Sequence, residues 1–77
     1  MRAVKTPSTN LRLGQRVREL RLAEGWSQEE LGARCGLDRT YVSGIERGVR
    51  NPTLSVIESL AAGLKVQIGE LFTKRTT

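Results

Sequence analysis

Apolar side chains recur along this chain at helical spacing. Leu13, Val17 and Leu20 line one side of a first segment and leave Arg12, Arg16, Arg18 and Glu19 for solvent. Val42 and Ile45 share a face further on, and Leu54, Ile57, Leu60 and Leu64 form the stripe of a fourth segment. Ile68, Leu71 and Phe72 give residues 66–72 the pattern of a short fifth helix. No stretch sustains the alternation of a strand, and no internal repeat is present. Gly25 ends the first helix, and Gly63 lies near the end of the fourth. Asn51-Pro52-Thr53 is a break followed by a cap, because the residue before proline is pushed out of the helical region and threonine is a competent N-cap. The pattern predicts an all-α fold.

Residues 27–48, SQEELGARCGLDRTYVSGIERG, carry the densest local signals. Ser27 and Glu30 have the spacing of a capping box, in which the hydroxyl accepts from the Glu30 amide and the carboxylate reaches back to Ser27. Trp26 before the cap and Leu31 after it are placed as a hydrophobic staple, and Glu29 and Glu30 suit the positive helix end. Gly36 is expected to stop this helix at positive φ, and Asp38 to cap the next one. Two short helices around a tight turn is the layout of a DNA-reading helix-turn-helix.

On the second of these helices, Thr40, Ser43, Gly44 and Arg47 fall roughly opposite the Val42/Ile45 face. A helix lies deep in a major groove only if its outward side chains are short and carry donors or acceptors for base edges. Arg39, in the first turn, reaches forward to where a guanine edge would lie. A mid-helix glycine costs roughly 1 kcal/mol relative to alanine. Gly44 therefore serves either close approach to a groove or relief of crowding against a neighbouring helix. Taken singly, Arg39, Arg47 and Arg50 also fit an ordinary solvated face, and Tyr41 fits half-buried packing. Their order behind a capped helix and a glycine turn favours DNA reading.

Through LGQRVRELRLAEGWSQEELG, GLDRTYVSGIERGVRNPTL and LAAGLKVQIGELF, over residues 13–72, the chain resembles the phage-repressor-like (XRE) helix-turn-helix proteins. Within that family, LDRTYVSGIERGVRN looks most like the small controller proteins of restriction–modification systems. The resemblance implies a compact, lambda-repressor-like bundle of five helices that forms a homodimer and offers one recognition helix to each half-site of double-stranded DNA. By the same resemblance, Arg39 and Thr40 take the principal base-reading positions, Ser43 and Gly44 the next turn, and Tyr41 serves either backbone or base. Gly44 departs from members that carry a long polar side chain there. Gln28 takes the position that holds a phosphate, and Arg47, Arg50 and Asn51 match the loop that grips the DNA backbone. Arg21 and Glu46 correspond to a partly buried ion pair. Glu46 is the only acid between Asp38 and Glu58, and an unpaired carboxylate there would repel phosphate. The implied role is a sequence-specific transcriptional regulator on a pseudo-palindromic operator. The alternatives are an antitoxin or other autorepressor, and a fold kept only for protein interaction.

Composition narrows the picture. Seventy-seven residues make one small domain, expected to run over residues 11–72 between a polar N-terminal arm (1–10) and a C-terminal tail (73–77). A chain this short buries only about 60% of its unfolded surface, so association would help it. Ile68, Leu71 and Phe72 are the expected interface, with two facing inward and one shared. The net charge is +5, yet residues 11–50 hold eight basic against six acidic side chains, so bulk charge is weak support for nucleic-acid binding. The local count is better: Arg39, Arg47 and Arg50 stand against Glu46 alone. There is no histidine, and Cys35 is the single cysteine, which fits a buried apolar role in a reducing cytoplasm. Without a metal-ligand cluster, a glycine-rich phosphate loop or a nucleophile–base pair, no enzyme, cofactor, metal or small-molecule ligand is expected. No signal peptide and no apolar run near the ~18 residues of a membrane span appear, so a cytoplasmic protein with no membrane association is expected.

Overall fold

The computed structural model describes residues 9–73. It consists of α1 (Thr9–Glu24), α2 (Gln28–Cys35), α3 (Arg39–Glu46) and α4 (Leu54–Leu64), followed by one 3-10 turn (Ile68–Leu71). No strand occurs among the described residues. The apolar stripes converge on a single core: Leu13 and Val17 from α1, Leu31 from α2, Val42 and Ile45 from α3, Leu60 from α4 and Leu71 from the turn are almost fully shielded from solvent. α3 packs against both α1 and α2, and α4 closes the core against α2. The crossing of α1 and α3 is close because Gly14 has no side chain; a Cβ there would run into the backbone carbonyls of Ile45 and Glu46.

The local signals of the helix-turn-helix segment form as expected. Ser27 and Glu30 make the reciprocal capping box, with the Glu30 amide donating to Ser27 Oγ at 3.0 Å and the Ser27 amide to Glu30 Oε1 at 2.7 Å. Gly36 terminates α2 at φ 71°, a left-handed conformation that glycine adopts without steric cost. Asp38 then caps α3, its carboxylate accepting from the Thr40 amide at 2.8 Å. Thr53 caps α4 through the Val56 amide.

The fifth helix is not an α-helix, so the bundle has four. Lys65, at φ 60°, ends α4 in the left-handed region. The residues after it close i→i+3 rings: Glu70 N–H donates to the Gln67 carbonyl at 2.9 Å and Phe72 N–H to the Gly69 carbonyl at 3.1 Å. The Glu70 carboxylate accepts from the Gln67 amide, and Thr73 Oγ1 donates to the Gly69 carbonyl, so two side chains bond back to the turn's own backbone. The expected burial is also reversed. Leu71 alone points into the core, while Ile68 is 39% and Phe72 37% exposed. Arg16, expected to face solvent, instead donates from Nε to the Glu70 carbonyl at 2.9 Å and ties α1 to this turn. Finally, α1 begins at Thr9, inside the stretch expected to be an arm. The remaining arm residues 1–8 and tail residues 74–77 lie outside the described residues.

Candidate nucleic-acid interface

α3 is held from behind by one buried polar assembly. Arg21, near the end of α1, donates from Nε to Glu46 Oε2 at 2.6 Å and from Nη2 to Oε1 at 2.9 Å. Its remaining Nη1 donates to the Trp26 carbonyl at 2.7 Å. Both side chains are buried, so the pair is bidentate and largely out of water. The hydrogen bond that Arg21 donates to Glu46, more than the charge of Glu46, raises the Arg21 pKa above the usual arginine value against the opposing effect of burial. Gln28 joins the assembly, donating from Nε2 to Glu46 Oε1 at 3.1 Å. A single carboxylate at the last turn of α3 thus fastens that helix to α1 and to the first residue of α2. The neighbouring Trp26 ring is half-buried against the core and covered by the Arg34 guanidinium, 4.0 Å from the ring centroid.

The opposite side of α3 faces out. Arg39 and Thr40 are exposed in its first turn, Ser43 and Tyr41 are partly exposed, and Arg47 is exposed at its C-terminal end. Of the residues expected to hold the DNA backbone, Gln28 lies at the start of α2, and Arg47, Arg50 and Asn51 lie in the segment after α3. Gln28 is partly buried, one of its amide donors already engaged by Glu46.

Gly44 and Arg50 depart from the sequence expectation. Gly44 is buried, and what covers it is the Arg50 side chain rather than a neighbouring helix; a Cβ at Gly44 would sit 2.6 Å from Arg50 Cγ. The Arg50 guanidinium continues over the Tyr41 ring, 5.3 Å from its centroid. The chain is brought back to this position by a Schellman turn. Gly48 N–H donates to the Ile45 carbonyl and Val49 N–H to the Gly44 carbonyl, both at 3.0 Å, with Gly48 at φ 76°. Arg50, expected on a loop beyond the helix, therefore lies against the outward face of α3 itself. The helical register does not reveal this, since it requires the path of the chain after α3. The Arg47-Gly48 pair at the helix end was the available signal for such a turn.

Among the described residues, no group of histidine, cysteine or acidic side chains is arranged to hold a metal ion, and no helix is long and apolar enough to cross a membrane. Cys35 is buried in the core, with no disulfide, and desolvation pushes its thiol pKa up.

A capped helix pair at a glycine turn, the second helix clamped from behind and open in front, defines an all-helical DNA-binding module of the helix-turn-helix class. The helix-turn-helix family model matches residues 17–71, and the chain belongs to that family, in its XRE type, as a DNA-binding transcriptional regulator. Among similar proteins, the control protein C.BamHI of Bacillus amyloliquefaciens is 48% identical over 67 residues, covering 83% of each chain. A hypothetical transcription factor of Neisseria meningitidis serogroup B is 52% identical over 59 residues, which span 77% of this chain but only 56% of that one. The crystal structure of the restriction-modification controller protein C.AhdI from Aeromonas hydrophila superposes with a TM-score of 0.80 at 52% identity, over 82% of this chain and 96% of that one.

Proposed function

We propose that this regulator is a restriction–modification controller protein, acting in the cytoplasm as a homodimer on a pseudo-palindromic operator of double-stranded DNA. The observation that carries the reading is the exposed first turn of α3, where Arg39 and Thr40 project from a helix fixed at its start by the Asp38 cap and at its end by the Arg21–Glu46 pair. Sequence discrimination needs side chains delivered at a fixed angle, and a rigid helix provides it. Arg39 and Thr40, with Ser43 and Tyr41, read base edges in the major groove. Gln28, Arg47 and Asn51 position the backbone. The identity to control protein C.BamHI and to C.AhdI supports the controller assignment over other autorepressors.

Ile68 and Phe72, exposed beside the buried Leu71, supply the apolar surface for pairing two copies. Two recognition helices then meet successive major grooves about 34–36 Å apart. The reading is tested by titrating the full chain onto the duplex upstream of its own gene and onto a scrambled duplex of equal length, with footprinting of the bound form. A symmetric, preferred site on the upstream duplex is expected. Equal binding to both duplexes at moderate salt overturns the reading and favours a module used only for protein interaction.

A further inference from the structure

Residue 44 and Arg50 compete for one volume on the outward face of α3. The Arg50 side chain runs along the backbone of Gly44, where an added Cβ would meet Cγ at 2.6 Å, Nε at 3.2 Å and Cδ at 3.4 Å. These are the middle of the side chain, not its flexible end, so even a methyl group at residue 44 forces the whole arginine onto another course. Gly44 lies mid-helix without a positive φ, so its backbone does not require glycine. No helix or core side chain lies within reach of an added Cβ more closely than Arg50 does. What the position requires is room for that side chain.

We propose that Gly44 is a specificity-determining residue that acts through Arg50. Its missing side chain seats Arg50 on the reading face of α3 against Tyr41, and any larger residue at 44 evicts it. The inference rests on the DNA-binding reading above and deepens it. The reading face is then assembled from two segments: Arg39, Thr40 and Ser43 come from the helix, and a cation from the turn after it is carried back by the Gly48 reversal. A seated arginine is ordered before DNA arrives, so less side-chain freedom is lost on binding than from a free loop position. Gly44 is a positioning residue in this scheme and touches no base itself.

The test combines Gly44→Ala, Arg50→Ala and the double variant. In the DNA-free chain, NMR of the native protein is expected to show the Arg50 methylene protons shifted upfield by the Tyr41 ring, and Gly44→Ala to abolish that shift. The same substitution is expected to leave the melting temperature at or above the native value, because alanine is the better helix former. On the preferred duplex, Gly44→Ala is expected to weaken binding roughly tenfold, the scale of one lost side-chain contact to a base edge, with a smaller loss on scrambled DNA. Adding it to Arg50→Ala is expected to cost nothing further. A retained ring shift in Gly44→Ala, unchanged affinity and base preference, or losses that add in the double variant each overturn the proposal. If the native chain prefers no duplex, the DNA-binding reading fails instead, and the ring-shift measurement still decides whether Gly44 seats Arg50.

Discussion

Arg21 meets both carboxylate oxygens of Glu46 across the α1–α3 contact, at 2.6 and 2.9 Å, in a pocket that excludes water. Replacing such a pair by apolar side chains of similar volume is often neutral or stabilising, whereas removing one partner leaves a buried charge with nothing to answer it. The pair therefore matters for where α3 points more than for net stability. Arg21→Ala is expected to lower unfolding stability by about 3–5 kcal/mol, and Arg21→Met with Glu46→Leu to recover most of that loss. Urea denaturation of the two variants checks both statements. A loss below about 1 kcal/mol in the single variant would match a solvated surface pair. Because Gln28 donates to the same carboxylate, the recovered double variant is expected to hold DNA less well than the native chain despite its stability.

Arg39 stands exposed in the first turn of α3, immediately after the Asp38 cap. A first-turn arginine that makes two hydrogen bonds to one guanine edge contributes discrimination, while one that holds a phosphate contributes the same on every sequence. Arg39→Ala is expected to cost about 1–3 kcal/mol on the preferred duplex and little on random DNA, with the salt dependence nearly unchanged. Arg47→Ala is expected to weaken both duplexes alike and to flatten the salt slope by about one unit. Equal losses on both duplexes for Arg39→Ala would place that arginine on phosphate.

The cap, turn and stripe of the helix-turn-helix were legible because each is decided within a few residues. Ser27 and Glu30, Gly36 and Asp38 act on the backbone beside them, and Val42 and Ile45 follow from helical geometry alone. The fifth helix misled for the same local reason: Ile68, Leu71 and Phe72 have helical spacing, but the backbone there closes i→i+3 rings, a tight turn whose three-residue period the Ile68–Leu71 spacing fits as well. The relation of Arg50 to Gly44 was not legible, because it depends on the reversal at Gly48 and appears in no periodicity. Arg16 shows the same limit, since its partner is a backbone carbonyl more than fifty residues away. Gln28 is intermediate: its place at the start of α2 was visible, and its bond to Glu46 was not.

Cys35 provides a pH test of the core. Burial raises its thiol pKa in the folded chain, so above the ordinary thiol value of about 8.5 the unfolded state loses a proton that the folded state keeps. The folded state then binds more protons, and its stability falls as pH rises through the folded pKa; below the unfolded value the contribution is fully present. Native protein is expected to lose more stability than Cys35→Ala as the pH rises above about 8.5. Disulfide-exchange reagents are expected to react with Cys35 slowly in buffer and fast in urea. Rapid labelling of the folded chain would show an accessible thiol instead.

Leu71 and Phe72 are adjacent in sequence yet belong to different surfaces, and substitution separates the two. Leu71 is fully enclosed by the core, so Leu71→Ala is expected to cost about 2–5 kcal/mol of folding stability through the cavity it leaves. Phe72 and Ile68 retain more than a third of their surface in the single chain; Ile68 opens the 3-10 turn and Phe72 follows its last residue, and Arg16 anchors the turn to α1. Charged replacements there, Phe72→Lys and Ile68→Lys, remove apolar area from an interface and place like charges opposite one another across a two-fold axis. Both are expected to leave the unfolding midpoint of the dilute monomer near its native value and to move the monomer–dimer equilibrium toward monomer in sedimentation equilibrium. Since two linked half-sites bind far more tightly than one, operator affinity is expected to fall with the loss of dimer while single-half-site binding persists. An unchanged dimer in both variants would place the pairing surface elsewhere on the molecule.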